Sequence, residues 1–556
     1  MPTGQLVGGL SPYPRGDNPM LDGGSPGVSW RRRPATVDTM TTTLPSRMSL
    51  LAILSLVLAC LLLAVPGSSS AAPSERSSDP AERAITAQYQ NMAAVPAAYA
   101  VIDGGRTLFG GQHGAGADTP FIVGSVSKSF TALTVLVQVQ QGVLDLDSPV
   151  NRYLPDLRLE RAGEQATLRH LLSHTAGVGR ADCNKDVERT YGSVAARVED
   201  MREVQVQSIP GASFEYCNVG YAILARIVEV ETGQPFADVL RGDVLEPLGL
   251  TETYTDHRQA KSAGLAEGRA TVMGFPFKRP EHMAEATLPD GSLISTVRDL
   301  AAYARFQMGG GTTSDGRRLL SSALMKEMHT VQVEVPGLPP EMAGYGMGWF
   351  VGADQDRTVV WHGGTTYRYQ ADVAMLPEEG RAVVSLAAGQ WLAGTRPLTE
   401  ASISGLLDRE TEPSNMYLIS TTGLWLASAA LVGTVVASLL LSRRRRAIGR
   451  RPRLWAAVLL TIAAGLLPVV LVMPAIQELG SLARALRFGL QAAPDLLVLE
   501  VSWVVALLWI GIKTWVDRRG TPALSVALTP FRVPSLDDKR TASTGTPGRG
   551  AVPPQS

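Results

Sequence analysis

Apolar residues are spread unevenly along the chain, and their spacing changes from region to region. Met48 to Val65, MSLLAILSLVLACLLLAV, carries no charge and follows Arg47. Three more apolar stretches, 417–441, 454–476 and 496–516, are each about as long as one membrane-spanning helix, roughly 20 residues. Between them the pattern is that of a globular domain. AAYAVIDGGRTLFGG, residues 97–111, reads as two short strands around Asp103-Gly104-Gly105, a hairpin signal. SKSFTALTVLVQVQQG has apolar residues at helical spacing and stops at Gly142, which puts Ser125 at or near a helix N-terminus. Helical patterns continue in TLRHLLSH and GYAILARIVEVETG; strand-like runs return in RTVVWHGG, QADVAMLP and RAVVSLAAG, and LTEASISGLLDRE closes on a helix. The pattern predicts an α/β (α+β) domain: an antiparallel sheet built from both ends and flanked by helices, with an inserted helical lobe, followed by a three-helix transmembrane region.

Charge placement orients these segments. SRRRRAIGRRPR lies between the first two C-terminal apolar stretches, and arginine of that density marks a cytoplasmic loop. Lys513, Arg518 and Arg519 then end the third stretch on the same side, so residues 73–416 face outward. The Met48–Val65 run leads into PGSSSAAPSE and reads as a signal, either cleaved or kept as an anchor; both forms send the downstream residues across the membrane. The expected organisation is therefore a disordered or over-called start (1–47), a signal segment (48–72), an external globular domain (73–412), three spans in the lipid bilayer (417–441, 454–476 and 496–516) and a disordered cytoplasmic tail (517–556). The expected location is the cell membrane, multi-pass, with the domain on the extracytoplasmic side.

Composition adds two points. The formal net charge is zero and no basic stripe stands out, so the chain gives no sign of nucleic-acid binding. Apart from Cys60 in the signal run, only Cys183 and Cys217 remain, and an oxidising compartment would allow them to pair.

FIVGSVSKSF places Ser125 and Lys128 three residues apart, on one helical face and about 5–6 Å apart at Cβ. An ordinary lysine, with a pKa of about 10.4, is a poor base at neutral pH; a helix N-terminus lowers it and also stabilises an oxyanion. Of the 51 lysines and arginines only seven are lysines and 44 are arginines, so a lysine here suggests a need for a titratable amine. FEYCNVGYAIL supplies Tyr216, able to relay a proton, and Asn218, whose carboxamide can hold a substrate carbonyl. VVWHGGTT supplies His362, Gly363 and Gly364 at a strand end, where glycines admit a substrate backbone.

The order SxxK, YxN, HGG resembles the serine beta-lactamase and penicillin-binding-protein superfamily, specifically its class C beta-lactamase and D-alanyl-D-alanine carboxypeptidase-like serine hydrolases. The resemblance extends over roughly residues 85–410 through TPFIVGSVSKSFTAL, GVLDLDSPVNRYLP, LRHLLSHTAG, FEYCNVGY, GSLISTVRDLA and YGMGWF. It implies acyl transfer through a covalent intermediate on Ser125, with Lys128 and Tyr216 moving the proton, Asn218 orienting the substrate, and the backbone amides of Ser125 and Thr365 forming the oxyanion hole. It implies a structural role for His174. His362 stands where classical penicillin-binding proteins carry the lysine of KTG. A neutral imidazole holds a carboxylate less well, which favours esterase or peptidase work over beta-lactam hydrolysis.

Relatives carry glycine near Arg368, which leaves two readings open: recognition of an anionic substrate group, or a solvated surface residue. The remaining histidines lack metal-ligand spacing, so no metal or cofactor is expected. The sequence favours an enzyme acting on envelope peptides, amides or esters. The contrasting readings are an acylated or ligand-binding sensor and a structural cell-wall binder.

Overall fold

The computed structural model describes residues 78–183, 189–272, 274–281, 283–389, 396–410 and 412–414, together with Val505, Leu508, Trp509 and Ile512. The expected signal segment, the expected cytoplasmic tail and nearly all of the three apolar stretches lie outside the described residues. Among the described residues no helix is long and apolar enough to cross a membrane.

An eight-stranded antiparallel sheet organises the domain. Its strands are β1 (Ala97–Asp103), β2 (Arg106–Gln112), β3 (Val333–Glu334), β4 (Gly344–Tyr345), β5 (Phe350–Asp354), β6 (Arg357–Thr365), β7 (Gln370–Leu376) and β8 (Arg381–Ala387). Their order is β2-β1-β8-β7-β6-β5-β4-β3, so the N-terminal hairpin pairs directly with the last strand, Ala97 opposite Ala387. This is the sheet built from both ends that the strand-like runs predict. The excursion between Gln112 and Val333 carries most of the helices.

Both faces of the sheet are covered, which explains why its central strands read as nearly continuous apolar runs. Every residue of β7 is buried: Ala371, Val373 and Met375 enter the larger core, and Ala374 and Leu376 the smaller one. Helix α1 (Pro80–Gln90) covers the smaller-core face through Ala81, Ile85 and Tyr89. The apolar pattern does not single out α1, because two of the apolar residues it turns inward, Ala81 and Ala84, are small. Its start is set by Asp79, which accepts from Ala81 N at 2.8 Å, and by Pro80 in the first turn. Facing the larger core are α2 (Ser127–Gln140), α3 (Val194–Glu199), α4 (Asn218–Thr232) and α5 (Val297–Met308). Helix α6 (Arg396–Leu406) returns to the side of α1.

One buried acid interrupts the smaller core. Asp372 of β7 is fully buried and accepts from Thr399 of α6 at 2.7 Å; burial raises its pKa from 3.8 to about 6. The unfolded carboxyl therefore loses its proton first as pH rises, and the folded state binds the extra proton between about pH 4 and 6. Stability from this group is greatest below pH 4 and falls through pH 6, by roughly 3 kcal/mol in all. Asp372→Asn is expected to abolish this part of the pH dependence. Urea unfolding of both proteins at pH 4 and 7.5 checks it, and parallel pH profiles would refute it.

Candidate active site

The site forms where α2 starts against the end of β6. Gly124–Val126 is a single 3-10 turn feeding into α2, so Ser125 lies just before the α-helix and Lys128 in its first turn. Lys128 is completely buried, and its Nζ donates to Ser125 Oγ at 3.0 Å and to the main-chain oxygen of Asp290 at 2.8 Å. The Tyr216 phenol stands close enough to the same serine to feel its hydroxyl, and its ring centroid is 4.9 Å from Nζ. Burial holds the Tyr216 phenol above its ordinary pKa of 10, a rise that the serine contact only partly offsets. The structure thus brings together Ser125, Lys128 and Tyr216 from segments separated by about 90 residues of chain. Asn218 opens α4, and its Oδ1 is buried with no hydrogen-bond partner among the described residues.

His174 supports this arrangement from behind. It sits in the left-handed region (φ 59°), is buried, and its Nδ1 accepts from Cys217 N at 3.1 Å while its main-chain oxygen accepts from Glu215 N at 2.8 Å. Its ring lies 4.3 Å from that of Tyr216. Burial, followed by the charge of Lys128, keeps the imidazole well below its usual pKa, consistent with Nδ1 acting as an acceptor. Cys183 and Cys217 are joined by a disulfide, so the pairing left open by the sequence is made, directly beside Tyr216 and Asn218. Their sequence separation is 34 residues. Reduction is expected to cost about 3–4 kcal/mol through loop-closure entropy and to lower turnover at the same time. Melting and ester assays with and without reductant test this; an unchanged melting temperature would contradict it.

Backbone fits against backbone at the mouth of the site. A Cβ on Gly364 would stand 1.9 Å from Val123 O and 3.0 Å from Ser125 N, and one on Gly124 (φ +54°) would stand 2.7 Å from Thr365 N. The amides of Ser125 and Thr365 are held side by side because both strand and turn carry glycine at the crossing.

Two further predicted residues lie deep in the structure. His362 is 1% exposed, Nδ1 meets Gly363 O at 2.8 Å and Nε2 meets the Tyr345 hydroxyl at 3.3 Å. Burial, with the nearby Lys128 charge, lowers its pKa to about 3, so the imidazole is neutral and faces inward. Of the two readings of Arg368, the solvated surface residue is corrected. Arg368 is 3% exposed and donates to Tyr367 O; burial and then Arg279 lower its pKa, and Glu281 opposes them.

Sequence reasoning missed two supports. Glu281 accepts from Thr366 Oγ1 at 2.7 Å and Tyr367 N at 3.0 Å, which straps the loop after Thr365. Arg197 of α3 pairs with Asp290, whose main-chain oxygen holds Lys128. An isolated Arg and Asp 93 positions apart give no local signal.

The beta-lactamase family model matches residues 82–400. The chain belongs to the beta-lactamase family. Among curated relatives, penicillin-binding protein 4 of Amycolatopsis lactamdurans is 34% identical over 238 residues, 42% of this chain and 62% of that protein. An unguisins hydrolase of Aspergillus campestris is 27% identical over 289 residues, 49% of this chain and 52% of the other. The chain thus spans between half and two thirds of the length of these relatives. Its fold matches the octameric penicillin-binding protein homologue of Pyrococcus abyssi (TM-score 0.52, 23% identity, 60% of this chain and 77% of that one). It likewise matches a D-amino acid amidase of Ochrobactrum anthropi (TM-score 0.51, 21% identity, 59% and 97%). The family match covers the described fold from α1 into α6 and includes every residue of the site above.

Proposed function

We propose that the protein is a serine hydrolase that works through an acyl-enzyme on amide or ester substrates of the cell envelope. The observation that carries this reading is the convergence of two proton-moving groups at one hydroxyl: Lys128 Nζ lies 3.0 Å from Ser125 Oγ, and the Tyr216 ring centroid lies 4.9 Å from the same Nζ. Lys128 as a neutral amine takes the Ser125 proton while Oγ bonds to the substrate carbonyl carbon. Charge develops on the carbonyl oxygen, which the Ser125 and Thr365 amides receive. Tyr216 passes a proton to the leaving amine or alkoxide as its bond to the acyl carbon breaks. Water then attacks the acyl-enzyme, gives up its proton to the same groups, and frees the acid with Ser125 restored. The partnerless Asn218 oxygen suits a substrate N–H.

Membrane tethering and an extracytoplasmic location belong to the same proposal. They rest on the signal run and the three apolar stretches with their arginine loop. The inward-facing, neutral His362 supports amidase or esterase work over efficient beta-lactam hydrolysis. The two curated relatives, one named for binding penicillin and one a hydrolase, agree with an acylated serine.

The test exposes the full chain to a small activated ester, whose acyl group a hydrolase can release, and follows the mass of the Ser125 peptide with time. A transient adduct is expected. A persistent adduct would indicate a sensor, and no adduct together with no ester hydrolysis would refute acyl transfer.

A further inference from the structure

The amine of Lys128 reaches its place because a carbonyl draws it there. That carbonyl belongs to Asp290, in the short π-helical turn Leu288–Ser292, a geometry that proteins use mostly as single turns, often at functional sites. Flanking hydrogen bonds sew the turn to α2: Thr131 Oγ1 donates to Pro289 O at 2.7 Å, and Leu293 N donates to Ser127 Oγ at 3.2 Å. The Asp290 side chain is fixed from the opposite direction. Arg197, completely buried, meets its carboxylate through both terminal nitrogens, at 2.5 and 3.2 Å, and also donates to Ala286 O at 2.9 Å. An ion pair this deep is a poor source of stability, because removing both charges from water costs about as much as their attraction returns. Its geometry has a clear use. A neutral amine has two N–H groups and one lone pair, and spending one N–H on a fixed carbonyl holds Nζ at Ser125, where the second N–H or, when the amine acts as a base, the lone pair faces the hydroxyl.

We infer that Arg197 and Asp290 form a positioning pair that sets both the direction and the proton affinity of the Lys128 amine. The inference rests on the acyl-transfer reading above and adds residues to it. While paired, the two charges largely offset each other at Lys128, and removing either one exposes the other to the amine. The other titratable groups around Nζ are Tyr216 and Tyr221, with ring centroids at 4.9 and 5.8 Å, and His174 and His362, whose imidazoles its charge helps keep neutral. Asp290 also raises the Tyr216 phenol, a smaller effect than burial, so its loss moves the basic limb of a rate profile as well.

The prediction is a pair of opposite shifts. Arg197→Met leaves a bare carboxylate that favours the ammonium, and the acid limb of the kcat/KM profile moves up by about one pH unit or more. Asp290→Asn leaves a bare guanidinium, and the limb moves down by a similar amount. The double variant returns to within about half a unit of the parent. Arg197→Lys keeps the charges but loses the two-pronged grip. It is expected to leave the limb in place and lower kcat about 10-fold at unchanged KM.

The same titration is read without turnover from the ¹⁵N resonance of Lys128 Nζ in the full chain, assigned with Lys128→Arg. If the parent hydrolyses nothing, the acyl-transfer reading fails while this resonance still tests the pair. Limbs and resonances that move the same way in both single variants, or not at all, would overturn the inference. If the single variants do not fold, parent-like kcat in Arg197→Lys and in the double variant would do the same.

Discussion

Lys128→Arg is expected to lower kcat/KM for ester hydrolysis by about 10²- to 10⁴-fold, the usual contribution of a positioned general base. The substitution keeps a cation and removes only the ability to titrate, since a guanidinium stays protonated at any pH the fold survives. Lys128→Met, which matches the length of the side chain without its charge, is expected to lose as much. The comparison separates two roles. If Lys128 served only as a positive charge near the oxyanion, arginine would retain most of the activity and methionine would not. Because Lys128 is completely buried, the methionine variant is expected to fold as stably as the parent or more so, which circular dichroism and melting would show. Activity within 10-fold of the parent in both variants would remove Lys128 from the reaction.

Gly364→Ala is expected to cost about 10²- to 10³-fold in kcat, the loss typical of one oxyanion donor, with a destabilisation of about 1–3 kcal/mol. The added methyl would fall 1.9 Å from Val123 O, and a main-chain oxygen cannot swing aside as a side chain can. The end of β6 must therefore move away from the 3-10 turn, separating the Thr365 and Ser125 amides. A built-in control exists at Gly105 in the β1–β2 turn, where an added Cβ meets nothing within 4 Å. Gly105→Ala is expected to change stability by less than about 0.5 kcal/mol and leave kcat alone. Equal effects at the two glycines would contradict the close-approach argument.

Much of the fold could be read from local pattern. The hairpin at 103–105, the α2 register and the three late strands each carry their period within one segment, and the structure places them as expected. Helix α1 gives a weaker signal because two of the apolar residues it turns inward, Ala81 and Ala84, are small beside Ile85 and Tyr89. The site was partly legible for the same reason. Ser125 and Lys128 stand out by spacing on one helix, and Tyr216 and Asn218 by their place at the start of another. Orientation was not legible. The pattern of β6 cannot say that Tyr345 and the Gly363 carbonyl engage the His362 imidazole. The sequence leaves Arg368 open between an anion-recognising residue and a solvated one, and only the structure shows that it is buried.

By itself the sequence determined the N-terminal hairpin, the α2 segment and the late strands, the helical spacing of Ser125 and Lys128, and the resemblance to the beta-lactamase family. These follow from interactions between residues a few positions apart. Only the tertiary structure decided that the Asp290 carbonyl holds the lysine and that Arg197 holds Asp290. It also decided that the disulfide closes beside Tyr216 and that His362 turns inward. Each of these depends on residues distant in the chain, and the burial that makes them strong exists only once the core has closed around them.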